Sequence, residues 1–412
     1  MRRINLILTV FLLALFTVPV NVLACTSFIV SGKATKDGRP LLFKNRDTND
    51  LNNYYHYFKG SKYDFLGDIS NNPKSQGIWF GHNTAGFAIM NTAAYNLNPQ
   101  SSPEDRKQAD GGKDGIIMRL ALEQCANLKD FETLLDTLPK PLACNSNFGV
   151  IDANGGCAYY ETGNNGYVKF DVNDPKIAPL GYIVRTNFGF SGDRTQDKGI
   201  SRFNAISDIC LKLSNTNDFS VENILGITRY LKHGLTAQNL YDIIPPDSST
   251  PQFVAFRDFI PRYLTASSVL IQGVKPGESP LLTVSWTIIG SPLTTVVVPV
   301  MIAPSKKSPS LLDKTAENGS VLSNWGLTLK KDLFPIERGE GADYINLSKL
   351  INSQNTGILQ KVKLIEKEIV TRGEKVIEDT RKKGKADREL EEYYEWLDKY
   401  IRDSYRTQFD LN

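Results

Sequence analysis

Cys25 follows a basic start (Arg2, Arg3), an apolar run from Ile4 to Leu23, and Ala24. This is the pattern of a secretory signal cut after a small residue, so the expected mature chain begins Cys25-Thr26-Ser27. Such a residue carries a thiol and an α-amine on one α-carbon. With a pKa near ~8, the amine is partly neutral at neutral pH and can take the thiol proton. Attack on a carbonyl carbon then needs no histidine. Polar clusters recur downstream in Lys44-Asn45-Arg46-Asp47, Thr186-Asn187-Phe188 and Ser201-Arg202-Phe203.

The elements that must position these residues can be read from periodicity. Thr26–Val30 and Pro40–Lys44 alternate as a hairpin around Lys36-Asp37-Gly38. The stretch Leu51–Phe65, rich in Asn and Tyr, reads as a loop. A strand, turn and strand follow over Trp79–Ala94, with Thr84-Ala85-Gly86 at the bend. Asp114–Leu138 has helical spacing broken near Asn127, with Ile116, Ile117, Leu120 and Ala121 on one face and Phe131, Leu134, Leu135 and Leu138 on another. Strands are expected at Asn147–Asp152, Cys157–Glu161 and Gly181–Phe188. Ile200–Leu213 and Val221–Leu231 read as helices, and Tyr263–Val274, Leu281–Ile289 and Thr294–Ile302 as a meander. Strands, then helices, then strands again predict an α+β fold with segregated layers.

Composition narrows the function. The 48 basic and 45 acidic residues leave a net charge of +3, which offers no electrostatic case for nucleic acid. The leader is the one apolar run near membrane-spanning length, so no stable span is expected after processing. His56, His82 and His233 fall in no metal-ligand spacing, and no metal site or cofactor is expected. No glycine-rich phosphate loop occurs. Five cysteines leave at least one unpaired. The Asn154-Gly155 turn sets Cys157 opposite Asp152 and keeps Cys144 far down the other strand, which argues against a bond between the two cysteines.

The ordered clusters, with Gly81-His82-Asn83-Thr84-Ala85-Gly86-Phe87, resemble the choloylglycine hydrolase and penicillin V acylase family. Its relatives are the penicillin acyltransferases and acid amidases, all N-terminal nucleophile (Ntn) hydrolases. The resemblance runs from about Cys25 to Ala303 and implies a four-layer αββα sandwich. It implies Cys25 as nucleophile, with its amine oriented by Asp47. Asn187 would donate to the oxyanion, together with a backbone N–H near Ala93, with Asn91 close by. Arg202 would close the polar network. Lys44 stands where these families usually carry arginine, and Arg46 shares its strand face. The implied reaction is hydrolysis of a non-peptide linear amide of the bile-salt, penicillin V or N-acyl amine type. Transfer of the acyl group to an amine is the alternative.

Three regions are expected: a signal peptide at 1–24, a catalytic domain at 25–309 and a charged extension at 310–412. In the extension, Ile358, Val362, Ile365, Ile369 and Val376 recur at helical spacing. Gly384 breaks the run, and Asp387 caps a second helix carrying Leu390, Tyr393, Leu397, Ile401 and Tyr405. This hairpin docks on the body or on another subunit in a homo-oligomer. Export to the periplasm or medium is expected. The rival reading makes Val22-Leu23-Ala24-Cys25 a lipobox and the protein a non-catalytic surface lipoprotein anchored through Cys25.

Overall fold

The computed structural model describes residues 24–72, 76–97, 113–196, 198–316 and 318–411. Residues 1–23, where the signal peptide is expected, and most of the stretch from Asn96 to Asp110 lie outside the described residues.

The first two strands, β1 (Thr26–Val30) and β2 (Leu41–Asp47), pair antiparallel from Thr26 opposite Asn45 to Val30 opposite Leu41. Gly38 makes the turn at φ +73°, where a side chain would be strained. Every residue of both strands is buried, so the hairpin is covered on both faces. It sits within a six-stranded sheet with β10 (Tyr182–Arg185) beyond β1. On the other side follow β12 (Thr265–Gln272), β13 (Val284–Ile289) and β14 (Val298–Val300).

A second, seven-stranded sheet runs in chain order. It comprises β3 (Asn53–Phe58), β4 (Phe65–Ser70), β5 (Phe80–Asn83), β6 (Ala88–Ala93), β7 (Ser146–Ile151), β8 (Cys157–Thr162) and β9 (Tyr167–Asp171). A short pair, β11 (Phe253–Ala255) and β15 (Tyr344–Asn346), stands apart. Phe28, Phe43, Tyr55, Phe80, Met90 and Tyr159, drawn from both large sheets, share one core. Helices α1 (Lys113–Gln124) and α2 (Leu128–Thr137) close a second core over the seven-stranded sheet with Phe87, Phe131, Phe148 and Tyr160. On the six-stranded sheet, α3 (Ile200–Asn215) packs on β10 and α4 (Val221–Ile227) on β12.

Three expectations are corrected. The stretch read as a loop after Leu51 forms β3 and leads into β4, because the Tyr55 ring is fully buried and its hydroxyl reaches Ser285 Oγ at 2.9 Å. Ile116 is exposed, and Met118 takes the inward place on α1. Cys157 pairs with Ile151 rather than Asp152, because the Asp152 carboxylate accepts the N–H groups of Asn154 and Gly156 and becomes part of the turn. All five thiols are free and buried.

After α5 (Val321–Leu333) and α6 (Leu347–Leu350), the expected hairpin is present as α7 (Ile358–Lys383) and α8 (Arg388–Phe409), with Gly384 left-handed between them. It packs on the body. Tyr405 donates to Thr294 O at 3.0 Å, and Tyr394 both donates to Met301 O and accepts from Met301 N. Glu366 of α7 pairs with buried Arg229 and accepts Val297 N–H at 2.7 Å. Gly373 allows the close approach: a Cβ there would meet Tyr393 Oη at 2.7 Å, with Pro299 and Trp286 just beyond.

Candidate active site

Cys25 stands at the head of β1, 7% exposed, and its surroundings come from four separate parts of the chain. At the end of β2, Asp47 lies opposite Thr265, whose hydroxyl donates to Asp47 Oδ1 at 2.5 Å. Arg262, just before β12, donates to Asp47 Oδ2 through Nε at 3.0 Å and Nη2 at 2.5 Å. The same Nη2 reaches the Ala24 carbonyl at 3.1 Å. One guanidinium therefore touches both the carboxylate and the peptide group preceding Cys25.

Arg202 approaches from the first turn of α3. Gly199, left-handed at φ +82°, lets it in: a Cβ there would meet Arg202 Nη2 at 2.3 Å. Arg202 Nη1 donates to the Cys25 carbonyl at 2.5 Å and to Thr26 Oγ1 at 2.9 Å, while Nη2 donates to Asn187 Oδ1 at 2.8 Å. Asn187 Nδ2 donates to Ala93 O at 2.9 Å. Its backbone is held by Tyr95 N–H, and Asn147 braces the carbonyls of Thr186 and Phe188 on either side.

Lys44 and Arg46 project from one face of β2 toward the seven-stranded sheet, to different destinations. Lys44 Nζ donates to Trp79 O at 2.8 Å and Asn91 Oδ1 at 2.7 Å, and Asn91 passes the chain on to Asp114 at 2.5 Å. Arg46 binds Asn53 at 2.5 Å, Asp68 at 3.3 Å and Ser70 at 2.6 Å. Asn91 thus stands as the acceptor that fixes Lys44.

Burial pushes the Lys44 ammonium down to about 8, opposed by its electrostatic interaction with Cys25. Burial and the neighbouring Arg262 push Arg202 down to about 10. For Arg262, burial acts downward too, but the Asp47 charge and hydrogen bonds outweigh it and raise the pKa. Beside Ala24, Arg202 and Arg262 opens a cavity of ≈490 Å³, also walled by Lys198, Asp258 and Glu340.

The structure brings together Cys25, Asp47, Asn187, Arg202 and Ala93, with Lys44 and Asn91 behind them. Sequence reasoning missed Arg262 and Thr265. No local sequence signal marks them: Arg262 and Thr265 reach the level of Asp47 only because β12 pairs with β2. His82 is buried on Ser285 at 2.7 Å, and burial lowers its pKa to about 3, so it is no base near neutrality. Among the described residues no cluster could hold a metal ion, and no helix is long and apolar enough to cross a membrane.

Residues 34–234, just under half the chain, match the family model described as acyl-coenzyme A:6-aminopenicillanic acid acyl-transferase. That span includes Lys44, Asp47, Asn187 and Arg202 and begins after Cys25. No curated protein matches. Among solved structures, an N-acylethanolamine-hydrolyzing acid amidase ortholog of Caenorhabditis elegans is 14% identical, with a TM-score of 0.40 over 62% of this chain and 93% of that one. A conjugated bile acid hydrolase of Clostridium perfringens is 12% identical, with a TM-score of 0.41 over 72% and 96%. Penicillin V acylase of Agrobacterium tumefaciens is 12% identical, with a TM-score of 0.35 over 68% and 86%. Over residues 34–234 the chain is thus similar to the penicillin acyltransferase family.

Proposed function

We propose that this is an exported cysteine amidohydrolase whose nucleophile is freed by removal of residues 1–24, and whose two sheets with their flanking helices form the four-layer αββα sandwich. The carrying observation is Arg202, which in one guanidinium holds both the Cys25 carbonyl and the Asn187 amide. Fixing those two groups relative to each other is what a shared catalytic task would require.

In this reading the Cys25 thiol attacks the amide carbon of a linear, non-peptide amide. Its proton passes to the α-amine, and the C–S bond forms. The amine returns the proton to the leaving nitrogen, the C–N bond breaks, and a thioester remains. A water molecule, deprotonated by the same amine, then displaces the thiol and releases the acid. Asn187 Nδ2 and the Ala93 backbone N–H stabilise the oxyanion. Asp47 orients the amine, Arg202 positions Asn187, and Lys44 adds positive potential behind the thiolate.

The named relatives act on conjugated bile acids, N-acylethanolamines and penicillins, and the acyl group falls within that range of small amides. The penicillin acyltransferase match supports a second outcome, in which an amine rather than water takes the acyl group. A lipid anchor at Cys25 is disfavoured, because the residue is buried and its carbonyl is held by Arg202.

The test is a panel of amides read by amine release. Wild type should turn over at least one class, and Cys25→Ala none. Equal turnover by Cys25→Ala would reject the mechanism. N-terminal sequencing and intact mass should show a free Cys25, and an added amine acceptor separates hydrolysis from transfer.

A further inference from the structure

Asp47 is not left facing the amine alone, because Arg262 takes its Oδ2 through two nitrogens and Thr265 takes its Oδ1. Loss of Ala24 leaves the α-amine at the former peptide nitrogen, one bond from the carbonyl carbon whose oxygen Arg262 holds at 3.1 Å. The amine therefore lies beside a carboxylate and a guanidinium that are already paired.

Resting on the amidohydrolase reading just given, we propose that Arg262 is a positioning residue that neutralises Asp47 toward the nucleophile, so that the Cys25 α-amine stays an unprotonated base at lower pH than a lone carboxylate would allow. An uncompensated Asp47 would hold the amine as ammonium and disable it until higher pH. The paired Asp47 can still accept a hydrogen bond and orient the amine, but it contributes little net charge.

The other charged groups around this point do not cancel the effect. From β2 come Lys44 and Arg46, each paired toward the second sheet with Asn91 or with Asp68. From α3 comes Arg202, spent on Cys25 O, Thr26 and Asn187. Competition for Arg262 from its far side is weak, since Asp258 lies 3.5 Å from its Nη1 and is itself half exposed. Lys330 of α5 feels Asp47 but donates to Tyr263 O. Lys198, Arg257, Glu340 and Asp343 line the cavity and are two of each sign.

The experiment is the pH profile of kcat/KM for the mature enzyme on whichever amide the panel identifies. Arg262→Gln should move the acid limb up by about one to two pH units, and Arg262→Lys should leave the limb near its wild-type place. Asp47→Asn should move it down, and the double variant should return it toward wild type. A purely structural role would instead lower activity by the same factor at every pH, and that result overturns the proposal. So does an Arg262→Lys limb displaced as far as that of Arg262→Gln.

If Arg262→Gln does not fold, Asp47→Asn decides alone. Carbamylation of the α-amine by cyanate against pH reads the same shift without turnover, and an amine pKa unchanged in Asp47→Asn overturns the proposal. The two failures are separable. Activity in Cys25→Ala breaks the catalytic reading, whereas an inactive Cys25→Ala with an unmoved Arg262→Gln limb breaks only this inference.

Discussion

Arg202 holds Asn187 by the oxygen end of its amide, Nη2 to Oδ1 at 2.8 Å, which turns Nδ2 toward the Ala93 carbonyl 2.9 Å away. An asparagine could sit either way round; the guanidinium selects one. The predicted consequence is that Asn187→Asp keeps the Arg202 contact yet loses the donor. kcat should fall on the order of 10²–10³ with a smaller change in KM. Steady-state kinetics checks this, and an undiminished kcat would remove Asn187 from the oxyanion role.

Lys44 is fully buried with two acceptors at its ammonium. Lys44→Arg must fit a wider head into filled space. A loss of roughly 1–3 kcal/mol is expected, read as a lower urea midpoint. A midpoint equal to wild type would mean that the pocket has room to spare.

The lowered Lys44 pKa also has a pH signature. The unfolded lysine binds its proton up to ~10.4, the folded one only to about 8, so folded stability rises between those values. Lys330, lowered to about 7 by burial, acts in the same direction from lower pH. Lys44→Met should flatten part of that alkaline rise in a Tm series from about pH 7.5 to about 10.5. An unchanged slope would show that Lys44 is not the group responsible.

His82 predicts acid sensitivity. Its folded pKa of about 3 lies below the unfolded ~6.5, so the unfolded chain binds an extra proton across that window. Stability is therefore lost as pH falls from about 6.5 toward 3, approaching about 5 kcal/mol at the end. His82→Gln should lessen the slope of unfolding free energy against pH by up to one proton. The same slope in the variant would assign the acid loss to other groups.

The Arg229–Glu366 pair should be costly to break from one side. Arg229 is also bound to Pro292 O and Thr295 O, so Glu366→Ala strands a buried guanidinium. A loss of about 3–5 kcal/mol in urea unfolding is expected, and the double change Arg229→Met with Glu366→Leu should be milder than the single one. Equal losses would place the penalty in packing rather than charge.

Much of this was legible from periodicity and order. The first hairpin, the β6 and β7 strands, the break at Asn127 and the helix pair after Ile358 follow from local patterns that tertiary contacts reinforce. Strand β3 did not, because Asn53-Tyr54-Tyr55-His56-Tyr57 is polar enough to read as a loop until Ser285 supplies a partner for Tyr55. Arg262 was invisible for a different reason. Its partners Asp47 and Ala24 lie more than two hundred residues away, and no local spacing encodes such a contact. Lys44 and Arg46 could be placed on one face, but their separation into two networks depends on what the second sheet presents.

Gly373, which brings α7 within reach of Trp286 and Pro299, has a consequence for biogenesis. The sheet that carries Cys25 at its head is roofed by residues far along the chain from it. The first hairpin can pair early, yet that sheet is not sealed from water until α7 has docked. Removal of α7 and α8 therefore leaves a sticky, protease-sensitive body.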